Sequence, residues 1–193
     1  MSRLDDYRSA LLVAHPDVSD EQLAASLDQR RTDFSRFIVS MGLGPLWHRR
    51  TGLAEFRESR LQAEALFAAQ DEPLLEVGAA LGAGGIEHVT IKGGATRLLL
   101  YDNPAIRASF DLDLLVRPGD RVEAAKIISG LGFAPLPEAN SISRELVLTR
   151  NGIDVDLHWD LLREGRLRNH LAGEILSSRR QFGDVWVPSP EHM

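Results

Sequence analysis

The chain has 193 residues, 44% of them hydrophobic and 26% charged, with a formal net charge of -6. This is the composition of a folded globular chain rather than a disordered or fibrous one, and its mild acidity argues against sequence-independent grip on nucleic acid. It contains no cysteine, which excludes disulfides, cysteine-ligated zinc, iron–sulfur clusters and thiol catalysis.

No apolar run approaches the roughly 18–20 residues of a membrane span. The opening Met1-Ser-Arg-Leu-Asp-Asp-Tyr7 lacks the basic-then-apolar layout of a secretion signal. A cytoplasmic enzyme with no membrane partner is the expectation.

The first half reads as helix. Ser19 ahead of Asp20 and Glu21 is an N-cap pattern with acidic first-turn residues. Phe34, Phe37, Ile38 and Met41 fall on one face of a 3.6-residue period. Gly42, Gly44 and Pro45 break that pattern. The Ala-, Leu- and Glu-rich stretch from about Glu55 to Leu81 predicts two helices, or one interrupted near Pro73, ended by Gly82, Gly84 and Gly85.

The second half changes rhythm. His88–Ile91 predicts a short strand, 93–101 a helix, 111–116 a strand and 118–130 a helix. Glu145–Thr149, then Asn151-Gly152, then Ile153–His158 is a hairpin signal, because Asn-Gly supplies the positive φ values of a type I′ turn. A last strand is expected near 180–187. The order β-α-β-α-β-β-α-β behind a helical preface implies a mixed sheet with helices packed on it. The expected division is a helical region over 1–84 and a core over 85–193.

Three features carry chemistry. Ile91-Lys92-Gly93-Gly94 runs from a strand into a glycine pair and a helix, where backbone amides and the helix dipole can meet a phosphate. Asp111 and Asp113 share one face of a strand, while Leu112, Leu114 and Val116 take the other. Two aspartates about 6–7 Å apart along a strand can share a pair of hard cations. Asp154, Asp156 and His158 alternate in the same way with Val155 and Leu157. Acidic pairs at this spacing are common in a chain with 28 acidic residues, and a lone Gly-Gly is ordinarily a turn or cap. The ordering of the three carries the signal.

The stretch KGGATRLLLYDNPAIRASFDLDLLVRPGD, followed by VDLHWDL, resembles the DNA-polymerase-β-type nucleotidyltransferase superfamily. More narrowly, it resembles a poorly characterised bacterial branch with the pattern Lys-Gly … Arg … Asp-x-Asp-Leu-Leu-Val … Asp/Glu-x-His-Trp. The preface from about Arg31 and the closing Val187-Pro-Ser-Pro-Glu191 also match that branch. The resemblance implies an α+β, polymerase-β-like core, a mixed sheet flanked by helices, preceded by an N-terminal helical segment. It implies a magnesium-dependent enzyme that moves a nucleoside monophosphate from an NTP such as ATP to a hydroxyl or phosphate of an unidentified acceptor. Asp111 and Asp113 would be ligands of two Mg²⁺ ions, with Mn²⁺ as a substitute, and Gly93 and Gly94 would lie at the triphosphate. A third carboxylate is implied as the base-side ligand. Its place before His158-Trp159 assigns that role to Asp156, with Asp154 as runner-up.

Lys92 is then a phosphate contact or an exposed strand-end lysine, and Arg107 a γ-phosphate ligand or a partner of an active-site aspartate. Ser109 is a candidate for a phosphate or a metal-bound water. His158 lines the pocket or is a structural histidine bonded to backbone, and Trp159 packs. The basic run at 163–168, with Arg179 and Arg180, is a solvated helix face or steers an anionic acceptor. Members of the branch continue past such a Pro-Ser-Pro-Glu segment into further helices, so either a shortened chain or a compact member is expected.

A kinase reading fails, because no glycine-rich loop precedes Lys92 and no Asn follows Asp160 at the catalytic-loop spacing. The remaining rival is a catalytically silent member that binds a nucleotide or a partner protein. Three carboxylates facing together repel one another without a cation, which argues against it. The acceptor is a small molecule, a peptide or a protein, with RNA least favoured by the net acidity.

Overall fold

A computed structural model describes residues 3–28, 33–137, 145–161 and 171–192. The basic run at 163–168 lies outside them. By compactness the chain divides into two units, residues 1–67 with 103–108, and residues 68–102 with 109–193. Among the described residues no helix is long and apolar enough to cross a membrane.

The first unit is helical: α1 (Arg3–Leu11), α2 (Asp20–Asp28), α3 (Asp33–Ser40), α4 (Gly44–Thr51) and the opening turns of α5 (Arg57–Ala83). Ser19 caps α2 reciprocally. Its Oγ accepts from the Gln22 N–H at 3.2 Å, and the Gln22 side chain accepts from the Ser19 N–H at 2.8 Å. Phe34 and Ile38 enter the core with Ala10, Leu23, Trp47 and Phe56, and Phe37 packs against it. Met41 is exposed instead, since α3 ends at Ser40 and Gly42 turns the chain at φ 71°. Gly44 and Pro45 do not merely break a pattern. They start α4, where proline's fixed φ and missing N–H are tolerated. Trp47 donates its indole N–H to the Ala10 carbonyl at 3.0 Å, which satisfies the one polar atom of a fully buried ring.

Neither reading for residues 55–81 holds: the structure shows one unbroken helix, α5, with Pro73 inside it. Leu74, Val77 and Leu81 continue the apolar stripe beyond the proline into the core of the second unit. That burial outweighs the roughly 3 kcal/mol cost of an interior proline. The helix stops in a Schellman arrangement. Gly85 sits at φ 73°, its N–H bonds to the Gly82 carbonyl and the Ile86 N–H bonds to the Leu81 carbonyl.

The second unit is α+β. It contains β1 (His88–Thr90), α6 (Lys92–Leu100), β2 (Asp111–Val116), α7 (Arg121–Gly130), β3 (Ala134–Pro135), β4 (Glu145–Arg150), β5 (Ile153–His158), α8 (Ala172–Ser178), β6 (Arg180–Phe182) and β7 (Val185–Val187). The sheet order is β1-β2-β5-β4-β3. Among the described residues only the β2–β5 pairing is parallel, so the sheet is mixed. Asn151 and Gly152 turn the β4–β5 hairpin at φ 53° and 78°, as the sequence predicts.

One face of the sheet carries Leu112, Leu114, Val116, Leu148, Val155 and Leu157 into a core completed by α5 and α7. On the other face Val89, Ile91 and Leu115 pack against Ala172, Ile175 and Leu176 of α8. Residues 180–187 form a hairpin of two strands around Gly183, in a sheet of its own, rather than the single strand expected. Arg179 is not part of a solvated helix face. Its guanidinium donates to Glu87 and to the Leu176 carbonyl and stacks over Trp186. Arg180 is exposed on β6.

Candidate active site

The parallel register of β2 and β5 sets Asp111 opposite Asp154 and Asp113 opposite Asp156. Strand periodicity puts all four carboxylates on the face away from the α5–α7 core. The α8 cover on this face lies over Leu115, one pleat beyond Asp113. Asp113, Asp156 and His158 bring their ligand atoms within 4.8 Å of one another and can hold a metal ion. Asp111 stands outside this closest group, one pleat along β2.

Asp113 is 2% exposed and His158 3% exposed. His158 Nε2 lies 2.9 Å from Asp113 Oδ1, and its Nδ1 lies 3.3 Å from Glu145 Oε2. The ring is therefore clamped between two carboxylates, not bonded to backbone. Lys92 donates to the same Asp113 oxygen at 2.7 Å, with its ammonium 3.0 Å from His158 Nε2.

These contacts divide the carboxylates electrically. Burial opposes ionisation of Asp113, but the hydrogen bonds and charges of His158 and Lys92 together hold its carboxyl below the usual value. Among the described residues Asp156 has no such partners. Burial first, then the charges of Asp111 and Asp113, push it up to about 6, and His158 offsets only part of this. The donor set is mainly hard carboxylate oxygen, and Asp156 is short of positive charge. Both properties fit a divalent cation of the Mg²⁺ or Mn²⁺ kind.

The helix after Lys92 begins with no side-chain cap at Ile91. Both glycines answer to packing. A Cβ on Gly94 would lie 2.7 Å from Thr90 Cγ2, and one on Gly93 would lie 2.4 Å from Ser109 Oγ and 3.2 Å from its Cβ. Gly93→Ala is expected to cost about 1–3 kcal/mol. Adding Ser109→Gly is expected to restore most of it. Urea denaturation of the two single variants and the double variant measures the coupling.

Ser109 is itself held in place. Its Oγ donates to the Asp111 carbonyl at 3.3 Å, and its own carbonyl accepts from Gln70 Nε2 at 3.0 Å. The Gln70 oxygen accepts from buried Arg97 at 2.7 Å. This amide strut ties α5, α6 and the approach to β2 together. The sequence carries no signal for Gln70, which stands among alanines and acids in a long helix. Glu145 was accessible, because a two-residue Asn-Gly turn places it directly opposite His158.

Arg107 belongs to the helical unit, where its guanidinium donates to the Ala108 carbonyl. Trp159 packs as expected, with Arg121 5.6 Å from its ring centroid. It lines a cleft of about 510 Å³ with Leu146 and Ala125.

No curated protein matches the chain. The sequence profile of a family described as uncharacterised nucleotidyltransferase matches residues 48–193. With carboxylates from two paired strands meeting beside a glycine-led helix, and with that match spanning most of its length, the chain belongs to this nucleotidyltransferase family.

Proposed function

We propose that the protein transfers a nucleoside monophosphate from an NTP to an acceptor, with its catalytic core from about Gly85 onward. The observation that carries this reading is the pairing of Asp113 with Asp156 across parallel strands, next to the uncapped start of α6. Asp111, Asp113 and Asp156 would hold two divalent ions, Mg²⁺ or in its place Mn²⁺. Bound there, such ions lower the pKa of an attacking hydroxyl and neutralise charge on the triphosphate.

The chain's own residues supply the rest. His158, braced by Glu145, keeps Asp113 in one orientation. The N–H groups at Gly93 and Gly94 face the phosphates, with Lys92 as a point charge and Ser109 at the rim. An acceptor oxygen attacks the α-phosphorus, the bond to the β-phosphate oxygen breaks and pyrophosphate leaves. Asp156 would help deprotonate the acceptor hydroxyl or hold the ion that activates it. Asp154, opposite Asp111, would line the pocket. The net charge of -6 favours a small molecule, peptide or protein acceptor over RNA.

The test incubates the protein with a metabolite and protein extract, Mg²⁺ and each α-labelled NTP. Mass spectrometry then looks for an added nucleotide mass together with released pyrophosphate. Expected is a product that requires Mg²⁺ and disappears in Asp111→Ala with Asp113→Ala. If calorimetry shows no divalent-dependent binding of any NTP, the transfer reading fails and a silent partner-binding member takes its place.

A further inference from the structure

Lys92 contacts two of the three side chains that can hold the ion, Asp113 and His158. Nζ, Nε2 and Asp113 Oδ1 lie within 3.0 Å of one another. The ammonium takes one Asp113 oxygen and lies against His158 Nε2, so a divalent ion held by this group meets a like charge a few ångströms away, and ion and ammonium oppose each other.

The chain accepts strain to put the lysine there. Lys92 has φ 49°, the left-handed region that costs a residue with a Cβ about 1–2 kcal/mol. It lies between extended Ile91 and the first turn of α6. Its side chain is 49% exposed, so the four-carbon stem can swing out without repacking a core.

We propose that Lys92 is a tethered counter-ion: it occupies a divalent-ion position in the nucleotide-free protein and must leave before that ion binds. This rests on reading Asp113 and Asp156 as ion ligands. A triphosphate arriving beside α6 offers the expelled ammonium a new anionic partner. Metal alone therefore binds weakly, and metal and nucleotide promote each other's binding, a reciprocal coupling. Lys92 thus gates loading of the site, in addition to touching phosphate.

The test needs neither nucleotide nor acceptor. Free Mn²⁺ is titrated by electron paramagnetic resonance against the metal-free full chain, as wild type, Lys92→Met and Lys92→Gln. Both variants are expected to bind Mn²⁺ at least about tenfold tighter, roughly 1.4 kcal/mol. The gain is expected to persist in 1 M KCl, where the Debye length is about 3 Å. A gain that vanishes in 1 M KCl reveals action through distant charge and overturns the proposal. Equal Mn²⁺ affinity in wild type and variants overturns it while leaving the metal site standing. No Mn²⁺ binding in any of the three overturns the metal site and the proposal with it.

Should the variants fail to fold, the wild type decides alone. Mn²⁺ is expected to raise acetylation of Lys92 by acetic anhydride several-fold, read by mass spectrometry. Unchanged acetylation at saturating Mn²⁺ overturns the proposal.

Discussion

Asp113→Asn is expected to abolish nucleotide transfer and weaken divalent-ion binding, and also to destabilise the metal-free protein. The transfer loss is at least about 10³-fold, since the substitution removes a charged oxygen at the centre of the group that would hold the ion. The stability loss follows from what Asp113 touches. Its Oδ1 is the shared acceptor for Lys92 and His158, and a neutral amide leaves two donors against a weaker partner. For a charge-assisted pair of which only one side is fully buried, the cost is about 1–3 kcal/mol at pH 7.

The pH dependence carries a sign. The folded-state pKa of Asp113 lies below its ordinary value of 3.8. Its stabilising contribution is therefore present above that ordinary value and is lost as pH falls through the lowered one. Urea denaturation in EDTA should show the gap between wild type and Asp113→Asn closing as the pH is taken below 4.

Asp156→Asn is expected to do the reverse to stability while also abolishing transfer. The folded protein binds the Asp156 proton more tightly than the unfolded chain does, with the carboxyl raised from 3.8 to about 6. Its stability is therefore highest with Asp156 protonated, falls as pH rises across that interval, and levels off above it. An asparagine has no proton to lose. The variant should match wild type near pH 4 and exceed it by roughly 2–3 kcal/mol at pH 7.5, both in EDTA.

Saturating Mg²⁺ should narrow or invert the difference at pH 7.5, because only the wild type gains binding free energy from the ion. A variant that is more stable without metal and inactive with it would mark Asp156 as a group kept for function at the expense of the fold. Equal stability at pH 7.5 would mean that Asp156 is not under the strain its surroundings impose.

These two aspartates show how far the sequence reaches. Alternation in Asp111–Val116 and Ile153–His158 is enough to place each strand, its apolar face and its carboxylates. Leu112, Leu114, Val155 and Leu157 lie in the core where periodicity puts them. The Asn-Gly turn sets the register of β4 on β5, and with it the facing of Glu145 and His158. Where local signals compete with packing, reading by residue is weaker. Pro73 suggests a break, yet α5 runs through it because the leucines and valine beyond it have a core to enter.

What the sequence by itself determined is local: which segments are helix or strand, and which residues share a face, since those follow from periods of 3.6 and 2 within one stretch of chain. Which carboxylates meet is a long-range fact. The partners Asp113 and Asp156 lie on strands separated by α7, β3 and β4. A slip of two residues would keep every facing and set Asp154 against Asp113 instead. The register is held by burial of Leu112 beside Val155 and Leu114 beside Leu157, a choice made only when the strands pair and a core forms around them. The same pairing brings Lys92 and His158 to one oxygen of Asp113, and so sets apart two aspartates that look alike in the sequence.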